Sequence, residues 1–95
     1  MRPRWTRLAE SDLEAIAAYI GQDSPAAAVR VVLELIDQVE SRLVPHPAVG
    51  RPGRVLGTRE LVIAGLPHVI AYRVRDRQVE VLRVLHTSRR WPDEL

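Results

Sequence analysis

The chain has 95 residues, 46% of them hydrophobic and 27% charged, and these values are typical of one soluble globular domain spanning residues 1–95. It contains no cysteine, which excludes disulfides and thiolate chemistry, and no apolar run of about 18 residues, which argues against a membrane-spanning helix. No apolar segment follows the basic N-terminus as it would in a secretory signal, so we expect a cytoplasmic protein.

The net charge of +2 conceals an uneven distribution of charge along the chain. Residues 8–43 hold two arginines against seven acidic residues, whereas residues 44–95 hold nine arginines against five acidic residues. All 14 basic residues are arginine, a preference that a GC-rich genome also produces. Genome composition does not explain the segregation, however, and a basic C-terminal half favours a polyanion or an acidic protein as partner.

A short strand and a first helix are predicted at the N-terminus. Residues 3–8 are rich in residues that favour strands. Ser11 and Glu14 have the spacing of a capping box, so we expect a helix to begin after Ser11. Gly21 is suited to end that helix because glycine tolerates the left-handed conformation of a helix C-cap.

A second helix and a loop follow. Ser24 and Pro25 predict the helix start, and Pro45 must end the helix. Only a few residues separate the two helices, which therefore should form an antiparallel hairpin. The predicted apolar stripe of the second helix comprises Val29, Val32, Leu33, Ile36, Val39 and Leu43. The segment from Val44 to Gly57 holds three prolines and three glycines and is predicted to be loop.

Three strands are predicted in the remainder of the chain: Thr58–Ile63, Pro67–Arg75 and Gln78–Thr87. Their connections are short, so we expect an antiparallel meander. The predicted fold is α+β, with the helical hairpin packed on one face of a small sheet and the first strand beside the last. The other sheet face, with the loop and the C-terminal tail, is left for function.

The last strand carries two residues that need an explanation. Arg83 lies within an apolar run, and a buried guanidinium is costly unless it is paired. We therefore expect an ion pair with Glu60 or Glu80, with a catalytic role as the alternative. His86 ends the strand, where it is a structural hydrogen-bonding residue, a catalytic acid or base, or a binding contact. Trp91 is expected to pack the tail onto the domain, with base stacking as the alternative.

Several classes of site are not supported by the sequence. The three histidines are far apart and do not have the spacing of metal ligands. The loop lacks the phosphate-binding P-loop pattern, and the G-x-S-x-G motif of serine hydrolases is missing. We therefore expect neither a metal nor a cofactor. The arginine-rich face leaves phosphodiester chemistry or macromolecular binding as the remaining functions.

The order of these residues resembles the RelE/ParE superfamily of bacterial type II toxin–antitoxin toxins, and ParE more than RelE. The resemblance extends over nearly the whole chain. It is carried by Ala9, Asp12-Leu13, Ile16, Tyr19-Ile20, Ser24-Pro25, Ala28, Pro47, Gly50-Arg51, Arg59-Glu60-Leu61, Tyr72-Arg73-Val74 and, most strongly, Val81-Leu82-Arg83-Val84-Leu85-His86.

The resemblance implies one of two targets. ParE-like toxins poison DNA gyrase, whereas RelE-like toxins cut mRNA on the ribosome. In a RelE-like enzyme the catalytic residues would be Arg59, Arg73 and His86. Yet Val69 stands where histidine-bearing nucleases of the superfamily carry arginine, and Thr87 replaces a terminal tyrosine. These departures favour gyrase over the ribosome with its mRNA.

The resemblance also implies a cognate antitoxin that wraps a peptide segment around the toxin, in a toxin–antitoxin hetero-oligomer. A non-toxic interaction module whose basic sheet face docks a partner is a further alternative. The residues expected to bind the target or the antitoxin are Arg51, Arg54, Arg83, Arg89, Arg90 and Trp91.

Overall fold

In the computed structural model, which describes residues 2–95, the predicted order of strand, helix, helix and three strands is present with one additional strand. The elements are β1 Arg4–Trp5, α1 Arg7–Gly21, α2 Pro25–Gln38, β2 Arg51–Pro52, β3 Arg59–Val62, β4 His68–Arg75 and β5 Gln78–His86, with one π-helical turn, Val39–Leu43, directly after α2.

The five strands form one sheet in the order β1-β5-β4-β3-β2. The β1 strand runs parallel to β5, and all other neighbours are antiparallel, as expected for a meander. The prediction that the first strand lies beside the last is therefore confirmed. A bulge changes the register of β4 and β5, since Ala71 pairs with Arg83 whereas Tyr72 pairs with Val81, which leaves Leu82 as the extra residue.

The α1 helix begins four residues before the predicted cap. Its N-cap is Thr6, whose side-chain oxygen accepts a hydrogen bond of 3.1 Å from the backbone N–H of Ala9. The same hydroxyl donates to the carbonyl of Leu82 at 2.9 Å, which ties the helix start to β5. The prediction of Ser11 as N-cap is wrong because this tertiary contact makes Thr6 the better cap, and the first strand is shorter than residues 3–8 for the same reason.

The predicted start of α2 is confirmed, because the Ser24 side chain accepts a hydrogen bond from the N–H of Ala27 at 3.1 Å. The predicted apolar stripe is only partly right: Val29 and Leu33 are 60% and 59% exposed. The helix is apolar on most sides, so its periodicity does not single out the buried face. Residues that do lie buried on this helix and its π-helical extension are Ala28, Leu35, Val39 and Leu43.

The β2 strand lies within the segment predicted as loop. Arg51 pairs with Glu60 of β3, and Pro52 pairs with Arg59. Two residues are too few to give a strand signal, and proline is tolerated here because β2 is the edge of the sheet. The segment 44–57 is otherwise irregular, as predicted.

The core lies between the helices and one sheet face. Tyr72, Leu35, Leu43, Ile63 and Ile70 are its largest fully buried side chains. Trp5, Leu13 and Ile16 pack against it from its margin. None of the helices in residues 2–95 is long and apolar enough to cross a membrane.

Candidate functional site

The Arg83 side chain forms a bidentate ion pair with Asp12 of α1. Its Nε lies 2.8 Å from Asp12 Oδ2 and its Nη2 lies 3.0 Å from Oδ1, and the two side chains are 20% and 16% exposed. Asp12 Oδ2 also accepts a hydrogen bond of 2.9 Å from the backbone N–H of Val84. The hydrogen bonds to Asp12 raise the pKa of the Arg83 guanidinium, against the opposing effect of partial burial.

The predicted partners of Arg83 were wrong, although the prediction of a structural ion pair was correct. Glu60 is 3% exposed and instead binds Arg51 through Nη2 at 3.0 Å, while its other oxygen accepts a hydrogen bond of 2.8 Å from the N–H of Arg54. Glu80 binds Arg73, its neighbour across β4 and β5. Cross-strand register, which the sequence does not reveal, decides these pairings.

Arg59 and Tyr72 hold the segment before β2 against the sheet. Arg59 Nη1 donates a hydrogen bond of 2.7 Å to the carbonyl of Gly50. The buried Tyr72 hydroxyl donates to the carbonyl of Pro47 at 2.7 Å and accepts from the N–H of Gly50 at 2.9 Å. Burial raises the pKa of the Tyr72 hydroxyl, so the phenol remains neutral and keeps both hydrogen bonds. Arg59, through its hydrogen bond to the Gly50 carbonyl, therefore has a structural role.

His86 lies at the end of β5 opposite His68, and the two rings meet edge to face with 5.6 Å between centroids. His86 Nδ1 accepts a hydrogen bond of 3.1 Å from the N–H of Ser88, and the Ser88 hydroxyl lies 2.7 Å from the same nitrogen. His68 is buried, and within residues 2–95 its Nδ1 has no hydrogen-bond partner. The histidine pair thus fixes the first turn of the tail beside the start of β4.

The stability of the protein should fall in mild acid because of His68. Burial and the nearby His86 lower the pKa of His68 below its ordinary value of 6.5. The unfolded chain then binds more protons than the folded chain below pH 6.5, so the free energy of unfolding decreases as the pH falls through the folded-state pKa. Urea denaturation at several pH values between 5 and 8 should show this decrease.

The matched controls are His68→Gln, which should flatten that part of the pH profile, and His46→Gln. His46→Gln makes the same substitution at an exposed position. If the free energy of unfolding of the His68→Gln variant depended on pH as steeply as that of the original protein, His68 would not be the cause of the decrease in acid. A substitution at the buried His68 also changes the stability at neutral pH, so the measured quantity is the change in the free energy of unfolding with pH.

The C-terminal tail folds back onto the domain. The Arg54 guanidinium lies over the Trp91 ring at 3.8 Å from its centroid, so the predicted packing of Trp91 is present. The tail must cross from β5 toward β3 to make this contact, since Arg54 is bound to Glu60 of β3. Arg89 lies over the Tyr19 ring at 5.9 Å, and Arg90 is exposed.

A cleft of about 1060 Å³ lies between α1, the end of β5 and this tail. Its apolar walls include Ile16, Ile20, Leu66 and Leu85. Polar and aromatic residues at the cleft are Asp12, Tyr19, His68, Arg83, His86, Ser88, Arg89, Arg90, Trp91 and Asp93. Among the sequence-predicted site residues, the structure brings Arg83, His86, Arg89, Arg90 and Trp91 together here.

The three catalytic candidates do not meet. His86 is opposite the first residue of β4, whereas Arg73 is five residues farther along that strand, a distance of about 17 Å at ~3.4 Å per residue. Arg59 pairs with Tyr72, the residue before Arg73, so the two arginine side chains start on opposite sheet faces. General acid–base catalysis requires groups within hydrogen-bond reach of one reacting atom.

Sequence reasoning missed Asp12, Tyr72 and His68 as organising residues. Asp12 carried a usable signal: it lies three residues after Ala9 and four before Ile16, and so on the inward face of α1. A carboxylate on that face needs a basic partner, and Arg83 is the arginine in an apolar strand. Residues 2–95 contain no group of three or more histidine or acidic residues arranged to hold a metal ion.

Comparison with known proteins identifies close relatives. Residues 4–91 match the family model described as ParE toxin of the type II toxin–antitoxin system parDE. The chain is 48% identical to Y4kP, a candidate toxin of Sinorhizobium fredii, over 99% of this chain and 96% of that protein. It is 44% identical to toxin RelE2 of Caulobacter vibrioides, over 90% of this chain and 93% of that protein.

A solved structure is similar to the whole fold. It is a chain of the chromosomal ParDE toxin–antitoxin system from P. aeruginosa, with a TM-score of 0.81 and 31% sequence identity. The match covers 93% of this chain and 97% of the other. The α+β architecture of two helices on a five-stranded sheet is therefore shared with that structure.

Proposed function

Because the chain belongs to the ParE toxin family of type II toxin–antitoxin systems, we propose that it arrests bacterial growth by binding and poisoning DNA gyrase. The observation that carries the proposal is the dispersal of the residues a nuclease would need. Arg59 binds the carbonyl of Gly50, Arg73 binds Glu80, and His86 is distant from both. These side chains stabilise the fold, and the chain offers a surface for binding.

A cognate antitoxin is the second part of the proposal. The similar P. aeruginosa structure is that of a ParDE system, which supports a toxin–antitoxin complex for this chain as well. The basic C-terminal half supports an acidic partner segment, because it contains nine arginines and only five acidic residues. Such a complex would form in the cytoplasm, where gyrase acts.

Expression without the antitoxin should arrest growth, and coexpression with the protein encoded by the adjacent upstream reading frame should restore it. Purified toxin should inhibit supercoiling by gyrase or trap its cleavage complex. Arg73→Ala and His86→Gln should retain this inhibition, provided that circular dichroism shows a folded protein, because neither residue has a catalytic task in this proposal. Normal growth at verified expression would contradict the proposal.

The alternative function is ribosome-dependent mRNA cleavage, which is favoured by the similarity to a protein named RelE2. The same toxin preparation should therefore be added to a translating ribosome assay, with mRNA ends mapped afterwards. The nuclease function would replace the gyrase proposal if the toxin cleaves mRNA and leaves gyrase unaffected. In that case Arg73→Ala or His86→Gln should abolish the cleavage. Absence of toxicity with stable binding of a partner would favour a non-toxic interaction module.

A further inference from the structure

The excess of positive charge of the chain lies at one end of the sheet, around the turn between β4 and β5. This end holds two acidic residues, Asp76 and Glu80, against five arginines. The five arginines, together called the basic end, are Arg2, Arg4, Arg73, Arg75 and Arg77. The remaining residues hold nine arginines against ten acidic residues. The positive net charge of the chain therefore originates at this end of the sheet.

The strand residues of the basic end lie on the sheet face that is turned away from the helices. Tyr72 and Val79 belong to the core between the helices and the sheet. Side chains alternate along a strand, so Arg73, Arg75 and Glu80 lie on the opposite face. The helices therefore leave this part of the basic end uncovered.

Strand register brings the arginines close together. Arg4 and Arg73 flank Glu80 in one row across β1, β5 and β4, so their Cα atoms are about 10 Å apart at ~4.8 Å per strand. The next row on this face contains Gln78, about 7 Å away at ~3.4 Å per residue. Gln78 Nε2 donates a hydrogen bond of 3.1 Å to the carbonyl of Arg2, which holds the N-terminal arginine beside this row. The basic end is therefore a compact patch.

The carboxylates at this end compensate only part of the positive charge. Glu80 binds Arg73, and its other oxygen lies 3.9 Å from Arg4 Nε. The Glu80 side chain is 11% exposed, whereas those of Arg4 and Arg73 are 70% and 40% exposed. The other arginines of the basic end are exposed and form no ion pair within residues 2–95. Uncompensated guanidinium groups thus face the solvent.

The turn between β4 and β5 places an arginine where glycine is the usual residue. Asp76 and Arg77 form the two-residue turn, with φ values of 52° and 63°. Both values are typical of a type I′ turn, whose second position is most often glycine because a side chain is strained in this conformation. An unfavourable backbone conformation that a sequence retains points to a function of the side chain. Arg77 therefore supports a binding role for the basic end.

The surface of the basic end suits a nucleic acid duplex better than a single strand or a protein. Its aromatic neighbours, Trp5 and Tyr72, pack in or against the core, so they offer no platform on which unpaired bases could stack. The depression between Arg4 and Arg75, of about 300 Å³, is lined by charged residues and Gln78. Interfaces with nucleic acid are more polar and more positively charged than those with proteins.

We propose that the basic end binds the sugar–phosphate backbone of duplex DNA without preference for its sequence. The planar guanidinium group binds phosphate through two parallel hydrogen bonds. The Gln78 amide, which could read a base edge, is engaged by the Arg2 carbonyl, and phosphate contacts carry no sequence information. The choice of DNA over duplex RNA rests on the gyrase function proposed above, because the target enzyme holds DNA. The contact would strengthen the binding of the toxin to gyrase that is already on its DNA.

The test measures binding of the full-length toxin to a labelled DNA duplex of arbitrary sequence, by fluorescence anisotropy at several salt concentrations. Arg75→Glu/Arg77→Glu should weaken binding by about 10-fold or more, because attraction at two positions becomes repulsion. The slope of the logarithm of the binding constant against the logarithm of the salt concentration should become shallower by about 2, since each phosphate contact contributes ~0.9. A duplex of different sequence should give the same result.

Two variants serve as controls, with circular dichroism to show that each protein is folded. Arg75→Lys/Arg77→Lys keeps the charge and should bind within about threefold of the original toxin, which a purely structural role of the arginines would not predict. Arg30→Glu/Arg42→Glu makes the same change of net charge with two exposed arginines of the helical layer. Its effect should also stay within about threefold, because screening by salt limits the interaction of distant charges.

Equal binding of the duplex by Arg75→Glu/Arg77→Glu and the original toxin would overturn the inference. Tighter binding of a single-stranded oligonucleotide, a duplex RNA or a polyglutamate peptide than of the DNA duplex would overturn it as well. Inhibition of gyrase supercoiling is measured with the same preparations. A toxin that binds DNA through the basic end but leaves gyrase unaffected contradicts the proposed function alone, whereas a toxin that inhibits gyrase without binding the duplex contradicts this inference alone.

Discussion

Replacement of Asp12 by alanine is expected to lower the free energy of unfolding by about 3–5 kcal/mol, the usual cost of removing one partner of a poorly exposed ion pair. The loss leaves the Arg83 guanidinium, whose side chain is 20% exposed, without its carboxylate. It also leaves the Val84 N–H without an acceptor. Urea denaturation followed by circular dichroism measures the change.

A double-mutant cycle separates the ion pair from the hydrogen bond to the backbone. Arg83→Met removes the charge while keeping an unbranched side chain, so the Asp12→Ala/Arg83→Met variant should be more stable than Asp12→Ala alone. The difference in free energy of unfolding that remains between the double variant and the original protein would represent the lost hydrogen bond of the Val84 N–H. Glu14→Gln is the matched control because Glu14 is an exposed acidic residue on the same helix, and we expect a change of less than about 0.5 kcal/mol. Equal stabilities of Asp12→Ala and Glu14→Gln would refute the role of Asp12.

Gly50→Ala is expected to lower the free energy of unfolding by about 1–3 kcal/mol, the usual cost of overpacking a buried site. An added Cβ would lie 2.6 Å from the Tyr72 hydroxyl oxygen, 2.7 Å from its Cε1 and 2.9 Å from the backbone oxygen of Glu60. Tyr72 is fully buried and the Glu60 oxygen belongs to β3, so neither neighbour can move without disturbing the sheet. The hydrogen bonds of Tyr72 to Pro47 and Gly50 would be lost as well.

The control for this prediction is Gly21→Ala, measured by the same denaturation experiment. A Cβ at Gly21 would meet the Cβ of Ala28 at 3.8 Å, an ordinary van der Waals contact. Because alanine favours the helix, we expect this variant to be as stable as the original protein or slightly more stable. A Gly50→Ala protein with unchanged stability would show that the segment before β2 can move away from Tyr72.

The order of elements and the position of the helical hairpin were predictable because they depend on local signals. Ser24 with Pro25 marks a helix start, and Asp76-Arg77 is the tight turn between β4 and β5, where both residues have positive φ. The start of α1 was not predictable from nearby residues. Thr6 becomes the cap through its bond to Leu82, 76 residues away in the sequence.

The ion-pair partners of the arginines could not be predicted from the sequence. Three carboxylates, Asp12, Glu60 and Glu80, each satisfy particular arginines, and the choice depends on strand register and on a bulge. A bulge shifts every later pairing by one residue, so small errors of register exchange the partners completely. The cleft was unpredictable for the same reason, because it exists only where α1, β5 and the tail meet.

The pairing of β1 with β5 has a consequence for the synthesis of the protein. The first strand of the chain finds its neighbour only after residues 78–86 have been made, since the contact between Thr6 and Leu82 spans 76 residues. During translation the helical hairpin is complete long before the sheet that covers its apolar face. Contacts of such sequence separation form slowly, because a long loop must close before they are gained. A chain that terminates before β5 therefore lacks the strand that connects β1 to β4, and toxicity should arise only from chains translated nearly to their end.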